Sequence, residues 1–193
     1  MPRLGCTPSP PMPWGSHICS YYQSTSQLQQ LVISFLQVGL EDHEGCVWIL
    51  PPWHTPTTAA TAIQWVIPNV YDYLATAQLE LMPSADWYGW PDPINLERIV
   101  AEGREKIARM SARFRGLRVA GDTSWAESPR QRAELVGYEG LVNEMVQAAN
   151  ILALCTYHAA HLTPPDMLDV FRNHQSVLLP TALEWSQVDL RCL

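Results

Sequence analysis

Cys46-Val-Trp-Ile-Leu50 is a continuous apolar run that begins after Gly45 and ends at two prolines, Pro51 and Pro52. A strand with no polar face is typical of a parallel sheet that helices cover on both sides, because neither side of it meets water. The segment before this run has apolar residues at helical spacing, which predicts an amphipathic helix: Leu28, Leu31, Val32, Phe35 and Gly39. A helix followed by a fully buried strand indicates an α/β fold.

The same alternation of helix and strand continues along the chain. Six strands are predicted, over residues 17–22, 46–50, 79–82, 117–121, 151–156 and 176–179. Five helices are predicted, over residues 24–39, 57–74 with a break near Pro68, 93–115, 128–148 and 164–173. The third helix is expected to have Asp92 as its N-cap and Pro93 as its first residue. Because strands that alternate with helices form right-handed crossover units, the predicted fold is α/β, a three-layer sandwich with a mainly parallel sheet.

The size and composition describe one folded domain with a short arm. The chain has 193 residues, which is enough for a single core, and five prolines stand within its first 16 residues. We therefore predict a disordered Pro-rich arm over residues 1–16 and a single α/β domain over residues 17–193.

The charge and the cysteines bear on partners and location. A net charge of −7 argues against direct nucleic-acid binding, because phosphate neutralisation needs a basic surface. No apolar run approaches the ~20 residues of a membrane span, so no membrane contact is expected. Five cysteines form no Cys-x-x-Cys pair, and three of them lie in apolar runs. This pattern predicts reduced, buried thiols and a cytoplasmic protein.

Lys106 is the one lysine among twelve cationic residues. It follows Glu105 in a charged helical segment rather than a glycine, which excludes a phosphate-binding loop of the Gly-Lys-Ser/Thr type. A Schiff-base lysine would have to be this same residue. We expect Lys106 to lie on a solvated, salt-bridged helix surface, four positions after Glu102.

Ligands of an open parallel sheet bind beyond the carboxyl ends of its strands, where this chain has mostly aromatic residues. The predicted ligand-binding residues are Tyr22, Trp53, Trp87, Tyr88, Asp122, Trp125, Glu139, Tyr157 and His174. Four titratable residues are candidates for acid/base catalysis: Asp122, Glu139, His54 and His158. An aromatic set with few polar groups suits a small organic ligand better than a phosphate. Packing in the core is the alternative reading of the same aromatic residues.

Several polar residues near the carboxyl ends of the strands have either a structural or a binding role. Asp122 either caps a turn or, as in nucleotide-binding folds, holds a magnesium ion. Cys155, His158 and His161 form a Cys-x2-His-x2-His string, but alternate residues of a strand point to opposite faces, so no metal site is expected. His174 either complements the dipole at a helix C-terminus or reaches the pocket. No cofactor is expected.

Several motifs together resemble the MEDS domain, the methanogen/methylotroph DcmR sensory domain. They follow in order over residues 17–179: His17–Tyr22, Gly39–Trp48, Trp87-Tyr88, Gly116–Trp125, Tyr138-Glu139 with Asn143, Ala153–Tyr157 and Leu168–Gln175. The resemblance implies a RecA/KaiC-like domain without the phosphate loop, which senses small, often hydrocarbon-derived molecules. The chain departs from the family at His158, where an acidic residue is usual. Because the 193 residues include no output module, the resemblance also implies a regulatory partner protein.

Three functions are compatible with these residues. The leading hypothesis is a stand-alone sensory domain that binds a small, mostly apolar organic molecule at the C-terminal edge of the sheet, without ATPase activity. The second is a small-molecule enzyme of a specialised pathway that uses acid/base residues in the same aromatic pocket. The third is an interaction partner of a kinase or anti-sigma factor, with the Arg-rich helix as its contact surface. Homo-oligomer formation stays open.

Overall fold

A computed structural model describes residues 12–89, 92–180 and 185–190. Its strands are β1 (Ser16–Tyr22), β2 (Gly45–Leu50), β3 (Leu79–Pro83), β4 (Leu117–Asp122), β5 (Ile151–His158), β6 (Ser176–Pro180) and β7 (Trp185–Asp189). Its α-helices are α1 (Thr25–Glu41), α2 (Pro56–Gln64), α3 (Val70–Ala75), α4 (Ser84–Tyr88), α5 (Leu96–Ser111), α6 (Pro129–Gln147) and α7 (Pro164–Asn173). A 3-10 turn, Ala159–His161, follows β5.

The strands form one sheet in the order β3-β2-β4-β5-β1-β6-β7. Every neighbouring pair is parallel except β6 and β7, which pair antiparallel. The prediction of an α/β fold with a mainly parallel sheet is confirmed.

Helices cover both faces of this sheet, as the apolar run in β2 predicts. Trp48 and Leu50 pack into a core with α1, α2 and α3, and we call this side of the sheet the α1 face. Val47 and Ile49 pack into a second core with α4, α5, α6 and α7, on the side we call the α6 face. Successive residues of a strand point to opposite faces, so a strand between two helical layers must be apolar throughout.

Helix starts follow their local capping signals, with one correction. Thr55, Ser128 and Thr163 each form a capping box with the residue three positions on, ahead of a proline at the start of the helix. The third predicted helix, α5, is capped by Asn95 instead of Asp92, because the Asn95 side chain accepts a hydrogen bond from the backbone of the third helical residue.

The first residues of the folded part belong partly to the predicted arm. Residues 1–11 lie outside the described residues, so disorder there stays a prediction. Met12 is buried in the core of the α1 face, and Trp14 packs against it. The ring of Trp14 fills the space that Gly116 leaves by having no side chain. Ser16 already begins β1.

Two cationic side chains, those of Lys106 and Arg118, are buried. Lys106 is only 9% exposed and forms an ion pair with Glu80 of β3, so the expectation of an ordinary surface lysine is wrong. Arg118 is fully buried and pairs with Glu44, because its position in β4 faces the α1 layer. Arg98 and Glu102 do form the exposed i, i+4 pair expected of a solvated helix.

Cys19, Cys46 and Cys155 are free and buried, as their apolar surroundings predict. Cys6 and Cys192 lie outside the described residues. Among the helices that the structure describes, none has both the length and the apolar composition needed to cross a membrane.

Candidate functional site

The predicted site residues are divided between the two faces of the sheet. Tyr22 belongs to the core of the α1 face. Trp87, Tyr88, Trp125 and Tyr157 belong to the core of the α6 face. The sheet therefore separates residues that the strand ends place at one edge, because neighbouring positions of a strand face opposite ways.

On the α1 face, Tyr22 and Asp122 form a closed polar pair. The hydroxyl of Tyr22 donates to Asp122 Oδ2 at 2.9 Å, and Thr156 Oγ1 donates to the same oxygen at 3.1 Å. Asp122 Oδ1 accepts from the backbone and side chain of Ser124. Burial raises the pKa of Asp122 despite these hydrogen bonds. The bond from the Ser124 backbone is an Asx-type turn, which is the turn-capping alternative for this residue.

Trp53 and His54 follow β2 and form a separate pair. Their rings stack with centroids 5.1 Å apart, and Trp53 is half exposed. The imidazole of His54 also contacts Thr58 at 2.6 Å and the edge of Trp48. Burial lowers the pKa of His54. These contacts position His54 against the start of α2.

Four aromatic residues of the α6 face pack against one another. Tyr88 lies 4.8 Å from Trp125 and 5.3 Å from Tyr138, measured between ring centroids. The indole nitrogen of Trp87 donates to the Tyr138 hydroxyl at 3.1 Å. Trp87 and Tyr88 lie in the short helix α4, which follows β3 directly. Core packing accounts for most of this aromatic set.

An apolar cavity lies beside this cluster, between the sheet and the helices α5 and α6. Its volume is about 60 Å³. Trp87 and Tyr138 form one wall, and the remaining lining is mostly aliphatic: Val47, Ile49, Ile99, Val119, Val142 and Ala153. Of the predicted ligand-binding residues, Trp87 is the one that this cavity shares.

A second group of predicted residues converges in the interior of the α6 face. Glu139 of α6 accepts a hydrogen bond from the Tyr157 hydroxyl at 2.6 Å. His174, the C-cap residue of α7, places Nε2 3.6 Å from Glu139 Oε2. Two residues that were not predicted complete the group. His17 Nε2 lies 3.1 Å from Glu139 Oε2, and Cys155 Sγ lies 3.4 Å from it.

We call His17, Glu139, Cys155 and His174 the interior cluster. Their ligand-type atoms lie within 4.8 Å of one another, and all four residues are buried. The spacing of Cys155 with His158 and His161 does not reveal this cluster, since His158 ends β5 and its ring packs against that of His161 in the following turn, with centroids 4.5 Å apart. The local signal for His17 is weak, because β1 has two further polar residues, Ser16 and Ser20.

Backbone carbonyls fix the orientation of both histidines. His17 Nδ1 lies 2.9 Å from the carbonyl oxygen of Asn173, and His174 Nδ1 lies 2.7 Å from that of Val170. A carbonyl only accepts, so both Nδ1 atoms carry hydrogen and both Nε2 atoms face Glu139. Within the described residues, His174 Nε2 has no hydrogen-bond partner.

Electrostatics in the cluster follow from its burial. Burial lowers the pKa of His174 to about 4, so the residue does not act as a cation at the helix C-terminus. Burial, reinforced by the charge of Glu139, raises the pKa of the Cys155 thiol well above its ordinary value. Burial opposes ionisation of Glu139 as well, but the hydrogen bonds and charges around it, first that from His17, bring its pKa below its ordinary value.

A small cavity connects the cluster with the gap between α6 and α7. Its volume is about 40 Å³, and its lining includes Glu139, Tyr157, Asp166, Asp169 and Asn173. Glu139 therefore lies at the wall of a space that opens between two helices.

Comparison with known proteins identifies the family. Residues 16–175 match the MEDS family, described as the methanogen/methylotroph DcmR sensory domain. No curated protein matches the chain. Among solved structures, the KaiC-like protein PH0186 from Pyrococcus horikoshii is 11% identical, with a TM-score of 0.64 over 92% of this chain and 79% of that one. The flagellar accessory protein FlaH from Methanocaldococcus jannaschii is 12% identical, with a TM-score of 0.55 over 88% of this chain and 72% of that one.

At these identities the two structures show a common RecA/KaiC-like fold and nothing about activity. The family match covers most of the chain, and it is the same family that the sequence motifs resemble. The chain belongs to the MEDS family of sensory domains.

Proposed function

We propose that this domain senses a small, mostly apolar organic molecule and does so without hydrolysing ATP. The binding site begins at Trp87, beyond the C-terminal end of β3, and extends under α5 and α6 to Leu117 and Ile151, the first residues of β4 and β5. A regulatory protein partner in the cytoplasm would receive the signal.

The apolar cavity between the sheet and α5 and α6 is the observation that carries this proposal. Its aliphatic walls would bind by excluding water, and the hydrogen-bonded pair of Trp87 and Tyr138 supplies a polar group at one end. A volume of about 60 Å³ suits a molecule of a few heavy atoms. A ligand there would contact α5 and α6 at once, so binding could change how these helices pack.

The connection between β1 and α1 supports the absence of nucleotide chemistry. It consists of Gln23 and Ser24, because β1 ends at Tyr22 and α1 starts at Thr25. A phosphate-binding loop is longer, is rich in glycine and ends with a lysine. Neither the length nor the composition of this connection suits a phosphate group.

The enzymatic alternative has less support from the geometry. Its four candidate residues lie in three places. Asp122 and His158 both contact Tyr22, Glu139 belongs to the interior cluster, and His54 stacks on Trp53. An acid/base pair needs its groups within reach of one reacting atom. Of the four, Asp122 and His158 share a contact, but both oxygens of the buried Asp122 already accept hydrogen bonds from Tyr22, Thr156 and Ser124.

Titration with small molecules tests the proposal. Thermal shift and tryptophan fluorescence would be measured with 1-butanol, 2-butanone and cyclopentane, which have five heavy atoms each, and with glycerol as the polar comparison. We expect at least one apolar compound to raise the melting temperature and change the fluorescence, since Trp87 lines the cavity. No response to any apolar compound would contradict ligand sensing.

A matched pair of substitutions in α6 tests the location. Val142 lines the cavity, whereas Val136 lies on an exposed part of the same helix. Val142→Phe should weaken binding about tenfold or more by filling the cavity, and Val136→Phe should leave it unchanged. Equal affinity in both variants would place the ligand elsewhere.

A further inference from the structure

We propose that the interior cluster of His17, Glu139, Cys155 and His174 is a binding site for a divalent transition-metal ion, with Zn²⁺ as the natural occupant. This site is separate from the apolar cavity of the proposed sensory function, and neither proposal depends on the other.

Four of the six distances between the ligand atoms are close to those of a tetrahedron around zinc, and the other two, from His174 to His17 and to Cys155, are within 4.8 Å. Zinc bonds of about 2.0–2.1 Å to nitrogen or oxygen and about 2.3 Å to sulfur place neighbouring ligand atoms about 3.3–3.6 Å apart. The cluster has Glu139 Oε2 at 3.1 Å from His17 Nε2, at 3.4 Å from Cys155 Sγ and at 3.6 Å from His174 Nε2. His17 Nε2 and Cys155 Sγ are 3.3 Å apart.

Hydrogen bonding by itself does not satisfy these atoms. A proton on His17 Nε2 would pair it with Glu139, but His174 Nε2 would still face the same carboxylate with no donor between them. That nitrogen is buried and has no hydrogen-bond partner within the described residues. A buried polar atom without a partner is costly, whereas a cation at the centre would interact favourably with all four groups.

The surroundings of the cluster have the features of a metal site. Both histidines hold their Nδ1 hydrogens on backbone carbonyls, which leaves each Nε2 directed at the centre. The other oxygen of Glu139 is held by Tyr157 at 2.6 Å. Such outer hydrogen bonds orient ligands before the metal arrives.

The ligand types select the metal. Two imidazoles, one thiolate and one carboxylate in a tetrahedral arrangement are typical of zinc, whereas magnesium and calcium require oxygen ligands. On binding, the Cys155 thiol would lose its proton to water and its sulfur would bond to the metal. The small cavity beside Glu139 provides an access route from the gap between α6 and α7.

The site would join four parts of the fold. His17 is the second residue of β1, Glu139 lies in α6, Cys155 lies in β5 and His174 is the C-cap residue of α7. Because these parts are far apart in sequence, a metal bound in the folded state and not in the unfolded one would stabilise the whole domain.

Metal analysis and cobalt substitution test this proposal on the full chain. The protein would be purified under reducing conditions, stripped with a chelator, incubated with Zn²⁺ or Co²⁺ and passed through gel filtration. We expect one metal ion per chain, a higher melting temperature with Zn²⁺, and a Co²⁺ spectrum with tetrahedral bands and a thiolate charge-transfer band. Wild-type protein that retains no metal would overturn the proposal, since the cluster would then be only a hydrogen-bonded network.

Matched cysteine variants assign the site. Cys155→Ser should lose the thiolate charge-transfer band and bind Zn²⁺ about tenfold or more weakly. Cys46→Ser, which changes a buried free cysteine of the α1 face, should keep both the band and the affinity. A band that survives Cys155→Ser would show that another thiol binds the metal and would refute this site. If Cys155→Ser fails to fold, His174→Gln serves as the second variant, for which we expect weaker binding and an altered cobalt spectrum.

Discussion

Gly39 in α1 leaves the space that the side chain of Arg118 occupies. A Cβ atom at this position would lie 2.6 Å from Arg118 Cδ and 2.8 Å from both Arg118 Nε and Cys46 Sγ. The guanidinium is fully buried, pairs with Glu44 and donates to the carbonyl of Phe35 at 3.2 Å. A buried charge tolerates displacement poorly, because it loses its partner without gaining water.

We therefore predict that Gly39→Ala destabilises the domain. Overpacking against Arg118 and Cys46 should lower the free energy of unfolding by about 1–3 kcal/mol, despite the better helix propensity of alanine. Urea unfolding followed by tryptophan fluorescence measures the change.

Gly140 provides the control, since it lies in α6 and a Cβ atom at this position would have no neighbouring atom within 4 Å. Gly140→Ala should be neutral or stabilise by up to about 1 kcal/mol. If both substitutions stabilise equally, the close packing around Gly39 is not what limits that position.

At the scale of elements, charged pairs hold α5 against the edge of the sheet. Glu80 of β3 forms ion pairs with Lys106 and with Arg109, the latter at 2.8 Å. Burial by itself would raise the pKa of Glu80, but the hydrogen bonds and charges of Lys106 and Arg109 outweigh it and lower the pKa below its ordinary 4.5. The folded state therefore favours the ionised carboxylate.

This lowered pKa predicts how stability depends on pH. Glu80→Gln should reduce the free energy of unfolding by about 1–2 kcal/mol at neutral pH. A carboxylate with a lowered folded pKa stabilises fully above its ordinary pKa and loses that effect as the pH falls through the folded value. The difference between wild type and variant should therefore stay constant down to about pH 4.5 and shrink below it.

Urea unfolding of both proteins over this pH range measures the difference. Glu102→Gln is the comparison, because Glu102 forms an exposed pair with Arg98, and it should change stability at neutral pH by less than about 1 kcal/mol. If the difference in the free energy of unfolding between wild type and Glu80→Gln grew as the pH fell, the lowered pKa of Glu80 would be contradicted.

Some helices and strands could be predicted from their own sequence, and others could not. The strand β2 and the helix α6 follow from local signals, which are an unbroken apolar run and a capping box. The helix α4 and the strand β7 were not predicted. α4 has five residues, too few for a helical period, and β7 owes its place to antiparallel pairing with β6.

At the scale of the whole molecule, the fold resembles that of KaiC-like proteins, yet the β1–α1 connection has only two residues. We predict that the full chain releases no inorganic phosphate from Mg-ATP above a buffer blank. One fold can host many activities, so the residues of the β1–α1 connection, and not the fold, are the basis of this prediction.

Phosphate release measured with purified protein checks this prediction. Asp122 is the last residue of β4 and is the residue that a nucleotide site would use to hold magnesium. Release above the blank that disappears in Asp122→Asn would contradict the prediction.

The candidate site was predicted only in part, for a reason that concerns the whole sheet. Glu139, Tyr157 and His174 are predicted ligand-binding residues that the structure brings together, since Tyr157 donates a hydrogen bond to Glu139 and His174 Nε2 lies 3.6 Å from Glu139 Oε2. Their role in binding a ligand stays a prediction. His17 and Cys155 were missed, because β1 and β5 become neighbours only through the strand order. Side chains alternate between the two faces of the sheet along each strand, so Tyr22 lies on the α1 face and Cys155 on the α6 face.

The sequence by itself determined the fold class, most helices and strands, and the burial of β2, because these depend on local periodicity, capping and composition. Tertiary structure decided which polar residues meet. His17 and Cys155 are 138 positions apart in the chain, yet their side chains are 3.3 Å apart. The pairing of parallel strands and the alternation of side chains across them bring such residues together, and neither is visible in local sequence.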